Sequence, residues 1–130
     1  MIFKIKMEQK ISQVVGKIKK DKNVIAIMLF GSYARNKEYA RDIDICVFLD
    51  SKDNKKMFKK RLNYLKGVSD KFDIQIFQQL PLYVRISVLR DGRILYLKDK
   101  KRLYNLAYET LKSYTFFEKY YLDYIGQVGK

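Results

Sequence analysis

Seven consecutive apolar residues, Val24-Ile-Ala-Ile-Met-Leu-Phe30, run without a break into Gly31-Ser32. The run is far below the roughly 20 residues that cross a bilayer, and no longer apolar stretch exists elsewhere in the chain. Its length, its apolar content and its abrupt stop at glycine describe a buried β-strand. Two further segments read the same way. Asp42-Ile-Asp-Ile-Cys-Val-Phe-Leu49 alternates polar and apolar residues and then turns wholly apolar, as a strand does when it enters a core and leaves its polar end at an opening. Phe72-Asp-Ile-Gln-Ile-Phe77 repeats the alternation.

Between these strands the period changes. Met7 to Lys20 places Ile11, Val14, Val15 and Ile18 at offsets of three, four and seven, an amphipathic helix broken by Asp21-Lys22-Asn23. Tyr33 to Glu38 is long enough for one or two helical turns. Asp50 and Ser51 are candidate caps for a helix whose face carries Met57, Phe58, Leu62 and Leu65 and which Gly67 ends. After Pro81, Leu82 to Leu89 fits either a helix begun by proline or the first arm of a hairpin turning at Asp91-Gly92. Arg93 to Leu97 is a short strand under both readings. A long helical pattern from about Asp99 to Tyr124 aligns Leu103, Leu106, Ala107, Leu111 and Tyr114. Its tyrosines, at 104, 108, 114, 120, 121 and 124, suit core packing, with an interface helix as the competing use.

At 130 residues and 48% hydrophobic content, the chain is expected to close one core, so residues 1–130 are read as a single domain. The first 20 residues are punctuated by charge and lack the pattern of a signal peptide, which points to the cytoplasm. Cys46 has no second cysteine to pair with and reads as a small buried apolar residue. The chain contains no histidine, which excludes Ser-His-Asp and Cys-His catalysis and leaves base chemistry to carboxylate, lysine or tyrosine. Its formal charge of +14 attracts nucleotides and RNA, although solvated helix faces account for most of the spread-out lysines.

The chemistry concentrates between residues 31 and 73. Asp42 and Asp44 stand at i and i+2 of a strand, so their carboxylates project from one face and repel each other unless a divalent cation sits between them. Oxygen ligands suit magnesium or manganese. Asp73 holds the corresponding polar position on the next strand and can join a two-metal site if the strands are neighbours. Gly31-Ser32 ends a strand before a helical turn, where free amides and a hydroxyl can hold phosphate oxygens. Arg35 and Arg41 are phosphate ligands or surface charges.

Together the segments FGSYARNKEYARDIDICVFLD and FDIQIF resemble the nucleotidyltransferase superfamily that includes DNA polymerase beta. That superfamily carries Gly-Ser, a gap of about ten residues, Asp-x-Asp and a later third Asp. LPLYVRISVLRDGRILYL looks like the tail of small antitoxin-type members, the MntA family, which favours a helix after Pro81. The resemblance implies a small α/β domain: a mixed, largely antiparallel sheet flanked by helices, packed on one side, with a long C-terminal helix. It implies that Gly31 and Ser32 contact the triphosphate of ATP, with Arg35 and Arg41 as further nucleotide ligands. Asp42, Asp44 and Asp73 would ligate two magnesium ions, and Asp73 would accept the proton of the attacking hydroxyl. Asn36 and Arg41 depart from the family pattern, standing where many relatives have glycine and serine. The implied activity is transfer of AMP to a hydroxyl, tyrosine above all, of a HEPN ribonuclease toxin; membranes are not expected as partners, and nucleic acid is not expected as substrate. Transfer to a small molecule, as in aminoglycoside nucleotidyltransferases, and a non-catalytic antitoxin are the alternatives.

Overall fold

A computed structural model describes residues 2–35 and 42–128, with side chains at 2–5, 32, 35 and 128 outside the description. The elements follow in the order α1 (Ile2–Ile18), β1 (Val24–Phe30), α2 (Gly31–Arg35), β2 (Ile43–Leu49), α3 (Asn54–Leu65), β3 (Phe72–Ile76), a 3-10 turn (Phe77–Gln79), α4 (Leu82–Asp91), β4 (Arg93–Leu97) and α5 (Lys100–Val128). The sheet order is β3-β2-β1-β4. β1 pairs antiparallel with both β2 and β4, whereas β2 and β3 run parallel, which makes the sheet mixed and largely antiparallel as expected.

Alternation along the strands builds two cores. Leu29, Ile43, Ile45, Val47, Ile74 and Ile76 face Ile11, Val14 and Ile18 of α1 and Met57 and Tyr64 of α3. Met28, Cys46 and Phe48 face the other way, onto Phe77, Val88 of α4 and Leu103 of α5. The expectation of helices on one side is therefore corrected: both sheet faces are covered. The cause is legible in β2, which after Asp44 has no polar residue to leave in water on either face. Phe48 and Phe77 stack at 4.2 Å between ring centroids in this second core.

Local details depart from the sequence reading in three places. Asp53, not Asp50 or Ser51, caps α3, its Oδ1 accepting from the amides of Lys55 and Lys56. On α3 the buried residues are Met57 and Tyr64, while Phe58 and Leu62 are exposed. On α5 Thr110 is buried along with Leu103 while Leu111 is exposed, and the Thr110 hydroxyl donates to the carbonyl of Leu106 at 2.7 Å. The segment after Pro81 is a helix, begun by the amides of Val84 and Arg85 bonding to the Pro81 carbonyl. No helix among the described residues is long and apolar enough to cross a membrane.

A polar pin joins the α1–β1 connection to α3. Asp21 Oδ2 accepts from Tyr64 Oη at 2.5 Å and pairs with Lys60 Nζ at 2.6 Å. Burial alone would raise the Asp21 carboxyl, but the hydrogen bonds from Lys60 and Tyr64 outweigh it and hold the group below the ordinary carboxylate value. Burial and the Asp21 charge push the Tyr64 hydroxyl far up, so it stays a donor at every pH of interest.

Candidate active site

The end of β1 and the start of β2 come together because the strands are antiparallel: Phe30 pairs with Asp44. Gly31 follows with φ of +76°, a conformation that costs an L side chain energy. It starts α2, so the amides there lack helical acceptors. Tyr33, buried in the first core, fastens the turn from below. Burial and the charge of Glu8 raise its hydroxyl, against a smaller opposing effect of Arg93.

On the other side of β2, parallel pairing sets Asp44 directly beside Asp73. Asp44 is partly buried, and Asp42, exposed, lies one residue ahead of the strand rather than within it. Burial raises the Asp44 carboxyl, and the charges of Asp73 and then Asp42 raise it further. The charges of Asp73 and Asp42 therefore both reach Asp44. The three carboxylates do not, however, converge into a ready chelate: no group of three potential metal-ligating side chains forms among the described residues. Asp73 is engaged elsewhere. Gln75 Nε2 donates to both of its oxygens, at 3.0 and 3.1 Å, and Arg61 NH2 stands 3.7 Å from Oδ1.

The donor set fits a hard divalent cation. It is all oxygen, and a cation held among these carboxylates would offset the repulsion that adds to the effect of burial at Asp44. Gly31 and Ser32 lie in the described backbone at the head of α2, as does Arg35 at its end. Arg41 and Asn36 lie outside the described residues, and so do the side chains of Ser32 and Arg35.

Arg61 and Gln75 were missed in the sequence. Gln75 carried a signal, since it stands two residues beyond Asp73 in an alternating strand and so shares its face. Arg61 carried none; only the packing of α3 along the edge strand β3 brings it there. Its Nε donates to the carbonyl of Ile74 at 2.7 Å, so the guanidinium reaches round the sheet edge from the first core's side.

A four-stranded mixed sheet with a Gly-Ser turn closed on one aspartate, and a second aspartate in parallel register with it, defines a nucleotidyltransferase core. The model of the "Polymerase beta, Nucleotidyltransferase" family matches residues 9–101, and the chain belongs to that family. It is 33% identical over 98 residues to a Methanocaldococcus jannaschii protein named as a protein adenylyltransferase, with 74% of each chain covered. Among solved structures, it resembles a toxin-antitoxin crystallised with AMP-PNP, at a TM-score of 0.67 and 20% identity over 95% of this chain and 98% of the other. It also resembles, at 0.63 and 20%, a chain of the Shewanella oneidensis complex between a tri-AMPylated HEPN toxin and the MNT antitoxin, covering 95% and 96%. These two likenesses establish the fold.

Proposed function

We propose that this chain transfers AMP from ATP to a hydroxyl, foremost a tyrosine, of a HEPN-type partner protein and thereby acts as its antitoxin. The observation that carries the reading is the close approach of the Gly31 turn to Asp44, with Asp73 in register beside it. The name of the 33% identical relative supports a protein acceptor, and the AMPylated toxin in the complex of a fold relative supports its class. So does α5, whose outer half displays Phe116, Phe117, Tyr120, Tyr121 and Tyr124 to solvent. Of the two uses read for the terminal tyrosines, core packing does not hold at Tyr120, Tyr121 and Tyr124, which are exposed. Exposed aromatics in this number fit contact with another protein better than a pocket for a small alcohol.

In this reading the amides of Gly31 and Ser32 hold the triphosphate, with Arg35 and Arg41 as candidate further cations. Asp42, Asp44 and Asp73 would hold magnesium, two ions in all, or manganese in its place, whose charge would screen the phosphates and lower the cost of deprotonating the acceptor. The acceptor oxygen bonds to the α-phosphorus, the bond to pyrophosphate breaks, and Asp73 takes the acceptor's proton. A tyrosine hydroxyl ionises near pH 10, so a positioned base is needed at neutral pH.

The test is intact-mass spectrometry of the protein encoded beside this chain's gene after incubation with the enzyme, ATP and magnesium. A gain of one or more AMP groups on tyrosine is expected. An unmodified partner, with efficient modification of an aminoglycoside instead, contradicts the proposal.

A further inference from the structure

We propose that Arg61 and Gln75 are positioning residues that fix the carboxylate of Asp73 for the transfer step. The inference rests on the reading of Asp73 as the third carboxylate of the site. Asp73 lies on β3, at the sheet edge, and pairs with Asp44 in parallel register, so two like charges stand side by side there. A side chain on an edge strand has no neighbouring strand to confine it on its outer side. Two groups supply the confinement. Gln75, on the same strand face, spans both Asp73 oxygens with one amide nitrogen. Arg61 arrives from α3 with its Nε already tied to the carbonyl of Ile74, which sets its NH2 beside Oδ1.

The division of labour follows from the chemistry of the donors. Arg61 is anchored to the backbone next to Asp73, so its position is tied to that of the strand and not to a mobile loop. Its fork shares the charge at one oxygen and leaves the other lone pairs of the carboxylate open. Gln75 is neutral, so it holds both oxygens without adding a positive charge that would repel a cation. An ion pair at this distance on a half-exposed carboxylate adds little to stability, so orientation is the contribution that matters. Partners of this kind hold a ligating or basic group in its working rotamer.

Arg61 also caps an edge carbonyl, which by itself would be a purely structural role. Gln75 separates the two, because among the described residues its side chain hydrogen-bonds only to Asp73. The experiment compares Arg61→Ala, Arg61→Lys, Gln75→Leu and Asp73→Asn, alone and combined, by kcat, by KM for ATP and by manganese binding in electron paramagnetic resonance. Arg61→Ala and Gln75→Leu are expected to lower kcat and manganese affinity by about tenfold or more each. KM for ATP stays within roughly threefold, and Arg61→Lys recovers part of the loss. On the Asp73→Asn background neither change lowers kcat or manganese binding further, because the carboxylate they serve is gone. If Arg61→Ala does not fold, Gln75→Leu carries the test. Wild-type kcat and manganese binding in Gln75→Leu, while Asp73→Asn is inactive, would overturn the positioning role alone. Wild-type activity in Asp73→Asn would overturn the reading beneath it.

Discussion

A β-carbon added to Gly31 would stand 2.2 Å from Oδ2 of Asp44, closer than any packed pair of such atoms allows. With φ at +76°, the same residue also occupies a backbone region that side chains resist. The backbone demands glycine, and the close approach binds the turn and the carboxylate into one unit, since any side chain at position 31 would displace the Asp44 carboxylate. Gly31→Ala should cost about 1–3 kcal/mol of stability. It should lower transfer far more than that loss explains, because Asp44 must move. Circular dichroism melts alongside kinetics check this; a variant that loses stability but keeps wild-type turnover would uncouple the turn from Asp44.

Asp73→Asn keeps the volume and one acceptor oxygen, so the turn at Gly31 should be untouched. ATP affinity within roughly threefold of wild type is expected, with transfer slower by about a hundredfold or more, as for loss of a general base. Calorimetry that finds nucleotide binding abolished would make Asp73 chiefly a ligand for the donor.

The pin at Asp21 makes stability depend on acid. Its folded pKa lies below the unfolded value of about 3.8, so its contribution is complete above that value and disappears as pH falls through the lowered folded value. Asp21→Asn should reduce stability at neutral pH by about 1–2 kcal/mol, shift the melting temperature down by a few degrees and flatten the acid limb of the stability curve. Urea melts from pH 7 to pH 2 measure it; an unchanged acid limb would show that the pin contributes nothing.

Substituting Tyr120 and Tyr121 by serine should leave the melting temperature within about 1 °C, since both rings lie in solvent. The same pair should weaken binding of the acceptor protein. A large loss of stability would instead mean that α5 packs on its own domain there.

Much of the fold was legible because its strands are short, apolar and sharply bounded. The limits of β1 match the seven-residue run, β2 begins one residue late at Ile43, and β3 ends one early because Phe77 turns into a 3-10 helix that feeds the second core. The helix after Pro81 is ambiguous locally because its end is set by tertiary packing: a side chain at its cap residue Gly92 would run into Met28 and the Leu29 carbonyl. Helix faces were less legible. Phe58, Leu62 and Leu111 are apolar yet exposed, and Thr110 is polar yet buried, its hydroxyl satisfied within its own helix. At the site, the alternation in β2 and β3 foretells the pairing of Asp44 with Asp73, but the engagement of Asp73 by Arg61 depends on a sheet edge that no local pattern encodes.

The most direct test of the account compares label transfer from α-labelled ATP to the partner protein by wild type and by Asp44→Asn, with magnesium and at matched folding. Asp44 touches every part of the argument: it packs on Gly31, lies beside Asp73 and carries the charge that a cation would meet. Transfer by the wild type and none detectable from Asp44→Asn is the expected result. Equal labelling by the two proteins would contradict the assignment of the site.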